Sequence, residues 1–91
     1  MSGGARAARL RELLTRQFQP VDLVIEDESH HHAGHAGAAG GMSHFRVRIV
    51  ADAFRGMPPV ARHRLIYEAV GDLLQTDIHA LAIDARAPEK G

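Results

Sequence analysis

The segment "VARHRLIYEAVGDLLQ", residues 60–75, decides the fold, because its apolar residues recur at helical spacing between two segments with strand character. Pro59 suits the first turn of a helix, and Gly71 lowers helix stability by about 1 kcal/mol relative to alanine. The predicted apolar stripe comprises Leu65, Ile66, Ala69, Val70, Leu73 and Leu74. The spacing therefore predicts a long amphipathic helix that covers one face of a sheet.

The segments on either side of this helix predict two strands. They are "HFRVRIV", residues 44–50, and "IHALAIDA", residues 78–85, and both alternate between apolar and other residues. The side chains expected to face the core are Phe45, Val47, Ile49, Leu81 and Ile83. A strand–helix–strand crossover within one sheet normally makes its two strands parallel.

The N-terminal half predicts a further helix and a further strand. "ARAARLRELLTRQF", residues 5–18, has helical periodicity and is closed by Pro20, and "VDLVIED", residues 21–27, alternates as a half-buried strand. Its inward residues are expected to be Val21, Leu23 and Ile25. This strand most simply pairs antiparallel with residues 44–50, so that acidic side chains meet arginines on the outer face. The predicted fold is α+β, a two-layer αββαβ domain whose three-stranded sheet carries helices on one face.

Length and composition restrict the class of protein. The 91 residues, 45% of them hydrophobic and 24% charged, predict one small folded domain over residues 1–91. Its 11 basic and 11 acidic residues balance, so net charge does not favour nucleic acid or an anionic membrane as partner. No apolar segment is long enough for a signal peptide or a membrane span, which predicts a cytoplasmic location. Residues 1–4 and 87–91 are predicted to be flexible tails, and residues 28–43 a flexible loop rich in histidine and glycine.

Six of the seven histidines are expected to meet at one end of the sheet. Parallel strands begin at the same end, and the histidine-rich loop ends where the second strand begins. The six are His30, His31, His32, His35, His44 and His79. His63, near the start of the long helix, is expected at the opposite end. Simpler interpretations stay open: a solvated loop, a cross-strand partner for a carboxylate at His44, and a strand-edge residue bonded to backbone at His79.

The absence of cysteine limits the chemistry of this chain. It has no disulfides and no thiolates, so a soft metal site needs histidine or sulfur from another molecule. Ser29 and Ser43 lie in or beside the loop, with no evident base to activate either as a nucleophile. The residue pattern therefore predicts no catalytic site.

Several short motifs together resemble the BolA family. They are "DES" at 27–29, "SHFRV" at 43–47, Phe54 with Gly56, "RHRLIYEAV" at 62–70 and "IHALAI" at 78–83. The resemblance runs from about Leu10 to Pro88, nearly the whole chain. It implies an αββαβ fold related to class II KH domains, in agreement with the order of elements predicted from periodicity.

The resemblance also implies a non-enzymatic role and a partner, a monothiol glutaredoxin, in a heterodimer bridged by a [2Fe–2S] cluster. The glutaredoxin cysteine and a glutathione thiol would supply sulfur ligands, and the BolA-like chain its C-terminal histidine and a loop ligand. His79 in "IHALAI" matches the C-terminal ligand. His32 best matches the loop ligand by its distance after "DES", with His35 close behind. The sequence departs from many relatives in its glycine-, alanine- and histidine-rich loop and in the short tail "RAPEKG".

Three functions are consistent with these residues. The first is an iron–sulfur adaptor in cluster trafficking or iron-dependent regulation. The alternative is a small DNA-binding transcriptional regulator that uses its KH-like fold. The third is a stress-response interaction module whose histidines bind no metal. The nucleic-acid contacts of the alternative would come from Arg46, Arg48, Arg62 and Arg64.

Overall fold

The computed structural model describes residues 3–28, 44–76, 78 and 80–89, and within them the predicted order of elements is confirmed. Two helices and three strands follow the order α1, β1, β2, α2, β3, with a single-turn 3₁₀ helix between β2 and α2. The bounds are α1 Gly3–Phe18, β1 Asp22–Asp27, β2 His44–Val50, the 3₁₀ helix Asp52–Phe54, α2 Pro59–Thr76 and β3 Ala80–Arg86. The 3₁₀ helix was not predicted, and Gly3 and Gly4, predicted to lie in a tail, belong to α1.

The sheet has the strand order β1-β2-β3. β1 pairs antiparallel with β2, with Ile25 opposite Val47, and β2 pairs parallel with β3, with Val47 opposite Ile83. Both strand directions were predicted, the first from adjacency and the second from the crossover through α2. β3 begins two residues later than predicted. Ile78 precedes it and donates its N–H to the Leu73 carbonyl (2.8 Å), a bond typical of helix C termini.

The core lies between the sheet and the two helices. Phe45, Val47 and Ile49 of β2 are buried, as their alternation predicts, and they pack in one cluster with residues of both helices. The helical members of this core are Leu10, Leu14, Phe18, Ile66, Val70 and Leu73. The apolar stripe predicted for α2 is thus the face that covers the sheet.

One residue with positive φ follows α1, and another precedes α2. α1 ends at Phe18, and the next residue, Gln19, has a left-handed φ of 48° and donates its N–H to the Thr15 carbonyl (2.9 Å). This is the αL form of helix termination, here with glutamine in place of the usual glycine. Before α2, Arg55 (φ −63°, ψ 131°) and Gly56 (φ 76°) form a type II turn, which requires positive φ at its third position.

The inward orientation predicted for Val21 is wrong. Val21 is 70% exposed, whereas Leu23 and Ile25 are half-buried against the core. Val21 precedes the first residue of β1 and still belongs to the bend that follows Pro20. The two-residue period of the strand therefore does not extend back to it.

Valine-to-alanine substitutions at positions 47 and 21 form a matched pair. Val47→Ala should lower the free energy of unfolding by about 2 kcal/mol, because it removes two methyl groups from a fully buried site. Val21→Ala should change it by less than ~0.5 kcal/mol. Urea unfolding followed by circular dichroism measures both, and equal losses at the two positions would contradict the burial pattern.

Candidate functional site

The two ends of the histidine-rich segment meet at one end of the sheet, where β1 finishes and β2 begins. Glu28, the last described residue before it, donates its N–H to the carbonyl of His44, the first described residue after it (2.7 Å). His44 lies opposite Ala80 in the parallel ladder, so β3 begins at the same end of the sheet. Both ends of the segment 29–43 are therefore attached close to Ala80, the residue that follows position 79.

The predicted ligands themselves, His32, His35 and His79, lie outside the described residues, as do His30 and His31. The two remaining histidines are described. His44 begins β2 and is half-buried, at the end of the sheet predicted for it. His63 lies in the second turn of α2, near Arg62, which reaches Ala85 at the far end of β3. The separation of His44 from His63 follows the prediction from the crossover.

The described residues alone do not form a metal site. Within them, no group of three or more histidine, cysteine, aspartate or glutamate side chains is placed to hold a metal ion. Apart from His44 and His63, the histidines of the sequence lie in residues 29–43 and at position 79. The segment 29–43 and position 79 both join the described chain at the end of the sheet formed by Glu28, His44 and Ala80.

Ion pairs cover the outer face of the sheet. Arg46 lies opposite Glu26 in the register, yet its Nε bonds to the carboxylate of Glu28 (3.1 Å). On β3, Asp84 accepts two bonds from the guanidinium of Arg86 (2.9 and 3.2 Å). The Arg86 hydrogen bond lowers the pKa of Asp84 below its usual value, against a smaller opposing effect of burial, and the charges of Arg86, Arg48 and Arg46 lower it further. An arginine of β2 thus meets an acidic side chain as predicted, but the acid is Glu28, just after β1, and not a residue of the predicted strand.

The four arginines of the nucleic-acid hypothesis lie in two different layers. Arg46 and Arg48 are exposed on the sheet face that points away from the helices. Arg62 and Arg64 belong to α2, on the other side of the sheet. The Arg62 guanidinium bonds to the carbonyls of Met57 and Ala85, both at 2.8 Å. Arg62 therefore joins α2 to β3, a role that residue spacing did not indicate.

The family of the chain follows from its match to a family model. The model described as BolA-like protein matches residues 14–90. This chain belongs to the BolA family. The match covers almost the same residues as the sequence motifs, and it confirms the resemblance.

Relatives and solved structures agree with this membership. The BolA-family chain is 48% identical over 88 residues to Protein BOLA1, chloroplastic, and 50% identical over 90 residues to SufE-like protein 1, chloroplastic/mitochondrial, both of Arabidopsis thaliana. Each match covers 93% of this chain, but only 55% and 24% of the relatives' lengths. The chain thus spans about half the length of the first relative and about a quarter of the second.

Two solved structures share the fold over nearly their whole length. The BolA domain of SufE1 from Arabidopsis thaliana superposes with a TM-score of 0.82 at 47% identity, covering 96% of each chain. BolA1 from the same plant superposes with a TM-score of 0.79 at 43% identity, covering 94% of this chain and 95% of its own. The αββαβ fold predicted for this BolA-family chain is therefore confirmed.

The cytoplasmic location stays a prediction. Two relatives carry organellar names, chloroplastic in one case and chloroplastic/mitochondrial in the other. In the described part of this BolA-family chain, neither helix is long and apolar enough to cross a membrane.

Proposed function

We propose that this chain is a non-enzymatic iron–sulfur adaptor that forms a [2Fe–2S]-bridged heterodimer with a monothiol glutaredoxin, in cluster trafficking or iron-dependent regulation. The observation that carries the proposal is that the segments with the candidate ligands join the sheet at the same end. The 2.7 Å bond from Glu28 to His44 and the pairing of His44 with Ala80 bring both ends of the histidine-rich segment beside the start of β3. Two stretches of chain that hold candidate ligands therefore leave the sheet from one place.

The chemistry of the available donors supports the same role. The chain has no cysteine, so its contribution to a cluster is imidazole, and thiolates must come from elsewhere. His79 would be one ligand, and His32 or His35 the other. The glutaredoxin cysteine and glutathione would complete the set from the partner's side. Histidine in place of thiolate on one iron raises the reduction potential of a [2Fe–2S] cluster, which is the chemical property that such a ligand set supplies.

The end of the sheet at Glu28, His44 and Ala80 is suited to an adaptor. The carboxylate of Glu28 at this end is ion-paired with Arg46 (3.1 Å). A surface of this kind can present ligands to a second protein that holds the rest of a cluster.

Size-exclusion chromatography with mass determination tests the proposal. The chain, a monothiol glutaredoxin, glutathione, ferric iron and sulfide are combined under anaerobic conditions, with glutaredoxin alone as control. The expected product is a coloured species with the mass of one copy of each protein. A coloured glutaredoxin homodimer that elutes apart from a colourless adaptor would contradict the proposal.

The DNA-binding alternative predicts a different result. Binding to duplex DNA needs several phosphate contacts from one surface, but Arg46 and Arg48 lie on the opposite side of the sheet from Arg62 and Arg64. We expect weak binding, with a dissociation constant above ~10 μM at physiological salt, in the non-specific range. A fluorescence anisotropy titration with labelled duplexes measures it, and sub-micromolar, sequence-selective binding would favour the regulator instead.

A further inference from the structure

The outer edge of β3 presents backbone groups that the sheet does not use. β3 is terminal in the strand order, and the Ala51 N–H donates to the Arg86 carbonyl (2.9 Å). In a parallel ladder, alternate residues direct both backbone groups to the same neighbour. Residues in phase with Arg86 therefore bond toward β2. The residues that direct N–H and C=O away from β2 are Leu81, Ile83 and Ala85.

Side chains from α2 cover two of these three edge carbonyls. Arg62 donates through Nη1 to the Ala85 carbonyl (2.8 Å), and the Tyr67 hydroxyl lies 3.5 Å from the Leu81 carbonyl. A second bond, from Arg62 Nε to the Met57 carbonyl (2.8 Å), holds the guanidinium in position. Among the described residues, no side chain donates to the Ile83 carbonyl that lies between them.

The opposite edge of the sheet is protected differently. β1, "DLVIED", carries acidic residues at three of its six positions, so two such edges repel one another. Arg11 also approaches the Leu23 carbonyl from α1 (3.4 Å). In β3, "ALAIDAR", the two charged residues Asp84 and Arg86 neutralise each other, and the other five are apolar. An unpaired apolar edge is a template for pairing with another strand, so β3 has the greater need of protection.

The β3 edge is complementary to a second copy of itself. In an antiparallel pair centred on Ile83, Leu81 faces Ala85 of the second copy, and every edge N–H meets an edge carbonyl. The carbonyls that Arg62 and Tyr67 occupy are acceptors that this pairing requires. We propose that the free edge of β3 is a self-association site for a second copy of this chain, and that Arg62 and Tyr67 keep it closed. This inference is independent of any role in iron–sulfur chemistry.

Removing both edge donors should open the site. The variant Arg62→Met/Tyr67→Phe keeps most of the packing volume but leaves the Ala85 and Leu81 carbonyls uncovered. Sedimentation velocity over a wide concentration series should show a monomer for the unmodified chain and a doubling of mass for the variant. The matched control Arg64→Met/Tyr67→Phe loses the same charge and the same hydroxyl but retains Arg62 on Ala85, and it should stay monomeric.

A third substitution identifies the interface. Ala82, on the outer face, would lie opposite Asp84 of the second copy. Ala82→Glu, added to the double variant, should restore the monomer by like-charge repulsion, and within one chain it faces Arg46 without conflict. A folded double variant that stays monomeric overturns the proposal, as does a dimer that Ala82→Glu leaves intact.

Hydrogen exchange in the unmodified chain gives a test that needs no variant. The amides of Leu81, Ile83 and Ala85 should exchange faster than those of Ala82 and Asp84, which bond to β2. Slow exchange at Ile83 in the monomer would mean that the edge is already covered, which contradicts an available site. This measurement can overturn the proposal even if the double variant does not fold.

Discussion

Replacing His79 with alanine is expected to abolish the mixed cluster complex with a monothiol glutaredoxin. His79 is the proposed C-terminal ligand, and the neighbouring described residue, Ala80, already begins the ladder opposite His44. Along the chain the nearest other histidine is His63, at the opposite end of the sheet, so the C-terminal strand offers no second imidazole. Visible circular dichroism after anaerobic reconstitution should then show only the spectrum of the glutaredoxin homodimer.

Controls for this substitution come from the other histidines. His32→Ala should cause a smaller loss, because His30, His31 and His35 lie in the same segment and can substitute. His63→Ala should leave the spectrum unchanged, because α2 begins at the opposite end of the sheet. A His79→Ala protein that reproduces the wild-type mixed spectrum would refute the ligand assignment.

Phe54→Ala should cause the largest loss of stability among single substitutions in the connection between β2 and α2. Phe54 is fully buried in the 3₁₀ helix, and its ring centroid lies 5.0 Å from that of Phe18 with a 40° interplanar angle. Truncating a buried phenylalanine costs about 3–5 kcal/mol. Because small domains are stable by only about 5–15 kcal/mol, this is a large share of the total.

Urea unfolding followed by circular dichroism measures that loss, and a double-mutant cycle identifies its origin. Phe18→Leu and Phe54→Leu, alone and combined, should show a coupling of about 0.5–1.5 kcal/mol, the range found for aromatic pairs. Additive effects would mean that the two rings act through burial alone. A Phe54→Ala protein as stable as the unmodified chain would contradict its place in the core.

Periodicity predicted the elements that bury a regular stripe. The alternation of β2 and the helical spacing of α2 each correspond to a face covered by the core, so Phe45 and Ile66 were placed correctly. Val21 was not, because a bend after Pro20 interrupts the strand period, and residue type does not reveal where that bend ends.

The 3₁₀ helix and the edge contacts of Arg62 were missed for another reason. A single turn such as Asp52–Phe54 is too short to show a period. The bond from Arg62 to Ala85 joins two residues 23 positions apart and depends on how α2 packs beside β3, which spacing along the chain does not encode. The candidate ligands were predicted from the family motifs, and the structure adds that the segments holding them join the sheet at the same end.

The most direct test of the proposed role is a visible circular dichroism titration of this chain into the cluster-loaded glutaredoxin homodimer under anaerobic conditions. We expect the homodimer spectrum to be replaced by a new one, which saturates at one copy of this chain per glutaredoxin. The change should require His79. A homodimer spectrum that persists unchanged with excess chain would contradict the adaptor role.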